Sequence, residues 1–175
     1  MILWLMLSAT CVNGVHGYLL WSQKHERKWS ISTHAARDKQ TYLLYVTGHV
    51  LGGLFFLLFA YKFFILYHHV YGLFYLVLAT YFFEIVQAVL PSKGAYELSH
   101  TVSALAMWGL FLLTGAISIF AVPQATLSRV VAGLIYIPLI TMLVYSFFNR
   151  SRLYFYQMCM VLLFYASVTV IVIGS

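Results

Sequence analysis

Charged residues are scarce in this chain. Only 8% of its 175 residues are Asp, Glu, Lys or Arg, whereas 63% are hydrophobic. That balance leaves too little polar surface to cover a water-soluble globule. The composition therefore predicts that most of the protein is surrounded by lipid. The formal net charge of +6 is accounted for below by membrane topology, so no nucleic-acid partner is expected.

Cysteine and the familiar catalytic motifs are also sparse. The two cysteines, Cys11 and Cys159, lie inside hydrophobic runs, which favours neither a disulfide framework nor a zinc site. The chain contains no phosphate-binding glycine loop, no Gly-x-Ser-x-Gly elbow, no His-Glu-x-x-His and no Cys-x-x-Cys. The motifs therefore assign no activity and no cofactor.

Long hydrophobic runs recur along the chain with short polar breaks between them. Crossing the hydrocarbon core takes roughly 20 apolar residues, and a backbone exposed to lipid must satisfy its own hydrogen bonds, as a helix does. We predict an all-α fold, a single polytopic transmembrane domain over residues 1–175 with about six helices. The first run is interpreted as a retained helix because it lacks the positively charged start of a signal peptide. The predicted spans are Ile2–Ser22, Thr41–Leu66, Val70–Leu90, Ser99–Ala121, Leu127–Phe148 and Leu153–Ile173.

The basic residues predict the orientation. Cytoplasmic loops carry an excess of Lys and Arg, so both termini are expected on the non-cytoplasmic side. The loop after the first span could also contact anionic lipid head groups. The residues predicted on the cytoplasmic side are Lys24, Arg27, Lys28, Arg37, Lys39, Lys93, Arg150 and Arg152. Those predicted on the other side are Lys62 and Arg129.

Two ionisable residues lie deep inside predicted spans. Glu84 should lie roughly 9 Å and His49 roughly 12 Å below the cytoplasmic boundary, at 1.5 Å of rise per residue. An ionisable group at the centre of a membrane helix costs roughly 2.5 to 3.5 kcal/mol, so such residues usually have a role. Because the second and third spans form a tight hairpin, we expect His49 and Glu84 to face each other, either as a ligand-binding or proton-relay pair or as a pair that merely satisfies itself.

Other polar residues fall in the same half of the membrane. They are Asn13, His16, Gln87, His100, Ser103 and Gln157. The opposite half carries mainly hydroxyls that can bond to their own helix, those of Thr80, Thr114, Ser118 and Thr141. This asymmetry predicts a polar cavity near the cytoplasmic face. Gly48 and Gly52 would let a neighbouring helix approach His49 closely, and Pro138 should kink the fifth span or open its backbone.

Three short segments carry a resemblance to a known family. They are Trp29-Ser-Ile-Ser-Thr-His, Leu90-Pro-Ser-Lys-Gly and His100-Thr-Val-Ser-Ala. They resemble six-helix membrane proteins of the damage-regulated autophagy modulator type and their bacterial counterparts. Here Thr33, His34 and Ala35 replace the acidic residue and glycine usual in that family, and the family's first loop is typically non-cytoplasmic. The resemblance implies six helices and a non-enzymatic membrane role, and it supplies no catalytic residues.

Three function classes remain open. The first is a protein that binds or transports a small ligand, a lipid or a proton through a site built from His49, Glu84, Gln87, His100, Ser103, His16 and Asn13. The second is a redox protein in which two of His16, His49 and His100 hold b-type haem. The third is a structural subunit completed by partner membrane subunits. A hydrolase using Ser103 and His100 is disfavoured, because the two lie three residues apart on one helix with no evident oxyanion donor.

Overall fold

The computed structural model describes residues 1–22, 30–90, 92, 94–149 and 152–175. Within these ranges the chain is helical and has no strand, which confirms the predicted all-α fold. Six helices are long and apolar enough to cross a membrane. The elements are α1 (Ile2–Ser22), α2 (Ile31–Ala35), α3 (Lys39–Ala60, continued as a π-helix over Tyr61–Tyr67), α4 (Tyr71–Val89), a 3-10 turn (Gly94–Tyr96), α5 (Glu97–Ala121), α6 (Thr126–Phe148) and α7 (Leu153–Gly174).

The six long helices coincide with the predicted spans to within a few residues, and local capping explains the differences. Helix α3 begins earlier than expected because a carboxylate oxygen of Asp38 accepts the Thr41 N–H at 2.8 Å, which satisfies a free donor at the helix start. Hydrogen bonds from the backbone and side chain of Thr41 hold the pKa of Asp38 below its usual value. Helix α5 likewise starts at Glu97, since an acidic residue is favourable in a first turn.

The C-terminal ends of α1, α4 and α6 and the N-terminal ends of α3, α5 and α7 lie at the same end of the bundle, which we call the basic end. Arg37, Lys39 and Arg152 lie there, while Lys62 and Arg129 lie at the opposite end. Several residues used in the orientation prediction and the family resemblance lie outside the described residues, namely Lys24, Arg27, Lys28, Trp29, Pro91, Lys93 and Arg150.

Small residues bring α1 and α3 into close contact. A Cβ built on Gly48 would lie 2.4 Å from Cγ2 of Val15, and one on Gly52 would lie 2.6 Å from Cγ2 of Val12. Neither position has room for a larger side chain. The Gly48-xxx-Gly52 pattern therefore acts in helix packing, as small residues commonly do between membrane helices.

The half of the bundle away from the basic end has an apolar interior. Phe56, Phe59, Phe63 and Phe164 belong to one buried cluster there. The hydroxyls predicted to bond to their own helices do so: Thr80 donates to Leu76 O, Thr114 to Leu110 O, Ser118 to Thr114 O and Thr141 to Ile137 O. The predicted placement of Thr141 in this half is wrong, because it lies in the basic-end part of α6.

Helices α6 and α7 form a hairpin that packs mainly on itself. Each meets the rest of the bundle over a shorter stretch, α6 against α5 and α7 against α1 and α5. Pro138 lies inside α6, and the helix continues through it from Thr126 to Phe148. This loose attachment leaves space between the hairpin and the other four spans at the basic end.

Candidate functional site: an internal polar cavity

A cavity of about 380 Å³ occupies the basic-end half of the bundle. All six spans contribute to its lining, as does the short helix α2 at its mouth. Its inner part contains ionisable side chains, and its side walls are mostly aromatic and aliphatic. Small-molecule sites in proteins typically have about 300 to 1,000 Å³ and a few polar groups on an apolar lining. The predicted one-sided polar region is thus a partly open cavity rather than a solid core.

Three ionisable residues from three helices form a continuous chain at the inner end of the cavity. His49 Nδ1 lies 3.0 Å from Glu84 Oε1, and His49 Nε2 lies 3.1 Å from His16 Nε2. The residues are only 3% (His16), 5% (His49) and 7% (Glu84) exposed. The predicted facing of His49 and Glu84 is confirmed, and His16 extends the pair to a third span.

Proton positions in this chain follow from its hydrogen bonds. With Glu84 ionised, its oxygen only accepts, so His49 Nδ1 carries a proton. If His49 is neutral, its Nε2 accepts from His16 Nε2–H, and His16 Nδ1 is then an acceptor. That Nδ1 atom is buried without a hydrogen-bond partner in the described part of the chain.

A glycine allows Glu84 to approach α3. A Cβ on Gly53 would lie 2.1 Å from Cε2 of Tyr81 and 3.2 Å from Oε2 of Glu84. The Tyr81 hydroxyl donates to Val50 O at 3.0 Å, which ties α4 to α3 one turn from the carboxylate. The absence of a side chain at position 53 is therefore what lets α4 bring Glu84 to His49.

Tyr45 and Gln87 support the same site. The side-chain amide of Gln87 donates to the Tyr45 hydroxyl at 3.1 Å. The Tyr45 ring lies against His49, with ring centroids 4.4 Å apart. Both residues line the cavity. Gln87 therefore lies at the cavity, and its bond to Tyr45 holds the ring that packs against His49.

A second histidine lies at the mouth of the cavity. His100 Nδ1 is 2.8 Å from Leu90 O, and His100 Nε2 is 2.9 Å from Ser32 Oγ. Helix α2 is fixed further by the Ile31 N–H, which donates to Gln157 Oε1 at 2.9 Å, and by a 3.0 Å bond between the hydroxyls of Thr33 and Ser92. The mouth is thus framed by short hydrogen bonds between α2, α5, α7 and the α4–α5 connection.

Two predicted site residues do not reach the cavity. The Asn13 amide donates to Ala9 O at 2.9 Å, a bond within its own helix, because a short polar side chain in a helix can reach the carbonyl one turn back. Ser103 is buried on α5 beside His100 but does not line the cavity. His16, His49, Glu84, Gln87, His100 and Gln157 all line it.

Sequence reasoning missed the hydroxyls at the mouth. Ser30, Ser32 and Thr33 follow the basic loop, and Ser30 caps α2 by accepting the Thr33 N–H at 3.1 Å. Serine is a preferred residue at the start of a helix, so Ser30 could have indicated a short helix here. The contact of Ser32 with His100 depends on where that helix packs, which the spacing does not reveal.

The histidines do not fit bis-histidine haem. Iron with two axial imidazoles needs the metal and its porphyrin plane between the two ligand nitrogens, whereas His16 Nε2 and His49 Nε2 bond each other directly at 3.1 Å. Both ring nitrogens of His100 have protein partners. Among the described residues, no group of three or more His, Cys, Asp or Glu side chains could hold a metal ion.

Fold and site together define a polytopic membrane protein, an all-α bundle of six candidate spans around a polar cavity. In comparisons with known proteins, the chain matched no protein-family model, no curated protein and no solved structure. The resemblance to the autophagy-modulator type therefore stays an expectation from the three sequence segments.

Proposed function

We propose that this protein binds a small amphiphilic molecule in the cavity, with the ligand's polar group against Glu84 and His49. One observation carries the proposal. Glu84 is buried in a membrane-spanning helix and faces an internal space, yet only its Oε1 atom is bonded within the described part of the chain. Burying a polar group without its full set of hydrogen bonds is costly, so a ligand that supplies a donor would be stabilised there.

A purely structural pair would be packed differently. Two side chains that only satisfy each other need no cavity beside them, and lipid-facing or close-packed residues would surround them. Here His16 Nδ1 lacks a partner among the described residues, and about 380 Å³ of space adjoins the chain. Both features favour a site that receives a ligand from outside.

The lining indicates the kind of ligand. Beyond the ionisable chain, the walls are formed by apolar residues such as Trp108, Phe111 and Leu143. Leu105 and Phe147 also line the cavity, are 44% and 51% exposed, and lie on α5 and α6, which pack loosely on each other. We therefore infer that the cavity opens sideways between these helices, which suits a ligand with an apolar part that enters from the lipid.

The orientation predicted by the basic residues would place the mouth at the cytoplasmic face. The described residues Arg37, Lys39 and Arg152 agree with that assignment, because they lie at the basic end. Reporter fusions at the two termini test it: both should report the non-cytoplasmic side, and a cytoplasmic signal from either would reverse it.

Native mass spectrometry tests the binding proposal. The protein is released from detergent micelles, and we expect a mass adduct that organic extraction removes and identifies. His49→Ala and Glu84→Ala should each lower the adduct fraction at least about tenfold, the effect of losing roughly 1.4 kcal/mol of binding free energy. The control is Thr141→Ala, whose hydroxyl bonds only its own helix. Folded His49→Ala and Glu84→Ala variants that keep the full adduct would overturn the proposal, as would a wild-type protein with no adduct.

A further inference from the structure

We propose that Ser32 and His100 form a nucleophile and general-base pair that cleaves or transfers the acyl group of a lipid-like carboxylic ester in the cavity. The assignment rests on contact and position. Ser32 Oγ lies 2.9 Å from His100 Nε2, and both residues line the cavity at its mouth. A hydroxyl held within hydrogen-bond reach of an oriented imidazole is the arrangement that activates a serine.

The hydrogen bonds of His100 favour the tautomer that a general base requires. A backbone carbonyl can only accept, so the bond to Leu90 O places a proton on His100 Nδ1. In the neutral imidazole Nε2 then has a free lone pair, and the Ser32 hydroxyl donates to it. Leu90 O acts as the orienting third group, the place that a carboxylate occupies in a serine-protease triad.

Ser32 differs from the other serines around the cavity. Ser8 bonds to the Tyr165 hydroxyl at 2.6 Å, and Ser146 bonds to a carbonyl of its own helix, Leu143 O. Ser92 bonds to the hydroxyl of Thr33. Among the cavity serines in the described ranges, Ser32 alone bonds a ring nitrogen. His49 cannot serve another serine, because Glu84 and His16 occupy both of its nitrogens.

Gln157 provides a donor for the charge that develops on a carbonyl oxygen. Its Oε1 accepts the N–H of Ile31, the residue before Ser32, so its amide is held beside the nucleophile with Nε2 as the remaining donor. No bond of this Nε2 occurs within the described part of the chain. Donors aimed at a developing oxyanion commonly contribute about 10²- to 10³-fold to the rate of acyl transfer. Gln157 is therefore a candidate for that role.

The reaction balances without a redox partner or metal. Ser32 Oγ attacks the ester carbonyl carbon while its proton moves to His100 Nε2. The carbon–oxygen bond to the leaving alcohol then breaks, and His100 returns the proton to that alcohol. Water attacks the acyl group on Ser32 in the same way, which releases a carboxylic acid and restores the hydroxyl. The net change is ester plus water to acid plus alcohol.

The cavity selects esters that have a long apolar acyl chain. Ser32 and His100 lie at the end of the cavity nearest the aqueous phase, where water for the second step is available. The apolar walls around Trp108 and Phe147 extend from this point and would hold the acyl chain. The inference goes beyond the proposed binding function and shares only the cavity with it, since the reacting pair is separate from His49 and Glu84.

A serine-directed probe tests the proposal. Purified protein in detergent is treated with a long-chain alkyl fluorophosphonate, and the modified residue is mapped by intact mass and peptide sequencing. We expect one probe molecule on Ser32, with an ethyl fluorophosphonate reacting at least tenfold more slowly because it lacks the chain. No labelling under conditions that saturate a control serine hydrolase in the same detergent would overturn the assignment. Labelling elsewhere with Ser32 unmodified would also overturn it.

Matched variants separate catalysis from simple anchoring of α2. His100→Gln keeps a side chain that can bond to Ser32 but cannot accept its proton, so labelling should fall about 100-fold or more, the usual contribution of a general base. Ser32→Ala should abolish it. Ser8→Ala, a cavity serine without a histidine, and Ser103→Ala, a buried serine beside His100, should label like wild type. Unchanged labelling in a folded His100→Gln protein would show that the bond is only structural.

A second measurement distinguishes this proposal from the binding function. His49→Ala is expected to lose the co-purified ligand but to keep fluorophosphonate labelling of Ser32. His100→Gln is expected to lose the labelling. Loss of labelling in His49→Ala as well would mean that Ser32 and His100 do not act apart from His49 and Glu84, and the assignment of separate roles would then be wrong.

Discussion

The two halves of this bundle use polar side chains in different ways. At the basic end, bonds run between helices: Glu84, His49 and His16 link α4, α3 and α1. At the opposite end, Thr114 and Ser118 each bond to a carbonyl of their own helix. A bond within one helix leaves the neighbouring helix free to shift, whereas a bond between helices fixes their rotation and depth. The comparison indicates that buried ionisable side chains fix the helices against one another at the basic end, whereas the hydroxyls of Thr114 and Ser118 do not do so at the other end. There α6 is joined to α5 through the Arg129 Nε–H, which donates to Ile119 O at 3.1 Å.

The largest effect expected from this difference is that of Glu84→Ala. It leaves His49 Nδ1 buried without its acceptor, and leaving a buried donor unsatisfied costs about 1 to 3 kcal/mol, and more where the group is charged. We expect the free energy of unfolding in mixed micelles to fall by that order. Thr141→Ala, which removes only a bond within α6 at an exposed position, should change it by less than about 0.5 kcal/mol, as surface substitutions usually do. Equal losses in the two variants would remove the distinction between bonds that join helices and bonds within one helix.

A smaller effect is expected from Gly53→Ala. The added methyl group meets the Tyr81 ring, and overpacking of this kind costs about 1 to 3 kcal/mol. Gly133→Ala is the matched control, because nothing lies within 4 Å of a Cβ there and alanine has the higher helix propensity. Thermal unfolding should show a lower midpoint for Gly53→Ala and an unchanged or higher one for Gly133→Ala. A stable Gly53→Ala protein would mean that α3 and α4 can separate without loss.

Removing single hydroxyls compares a bond between helices with a bond inside one helix. Ser8→Ala breaks a 2.6 Å bond between α1 and α7, and such interhelical bonds in membranes average about 0.6 kcal/mol. Ser118→Ala breaks a bond inside α5, so its effect on unfolding free energy should be close to zero. A double-mutant cycle between Ser8→Ala and Tyr165→Phe measures the first bond directly. No coupling in that cycle would contradict it.

The smallest effect concerns pH and the exposed cap of α3. The pKa of Asp38 is lowered by its bonds to Thr41, so its contribution to stability is present above the unfolded pKa of about 3.8 and is lost as the pH falls through the lower folded value. Asp38→Asn keeps a good capping residue that does not titrate. Its unfolding midpoint should therefore approach that of wild type as the pH falls below that window. A constant difference at every pH would exclude a role for the cap.

The six spans and the contact between His49 and Glu84 could be predicted from the sequence. The contacts that His16 and His100 make could not. Run length sets where a helix crosses the membrane, and a tight hairpin forces His49 and Glu84 to meet. The contact of His16 with His49 depends on how α1 is rotated about its axis. Gly48 and Gly52 let α1 approach α3 closely, but their pattern in the sequence does not determine that rotation. The contact of Ser32 with His100 depends on where the short helix α2 packs against α5, which residue spacing does not determine. Asn13 and Ser103 share the correct depth but point away from the cavity, because depth along a helix does not determine its facing side.

The loose attachment of the α6–α7 hairpin has a consequence for biogenesis. Helices enter the membrane in the order in which they leave the ribosome, so α1 to α5 are in place before this hairpin is made. The bond from Ile31 to Gln157 on α7 and the aromatic wall on α6 can form only afterwards. Until then, the side of the cavity that α6 and α7 line is open. The cavity can therefore close only after both helices are inserted, and a chain arrested before α6 would insert Glu84 and His49 without enclosing them.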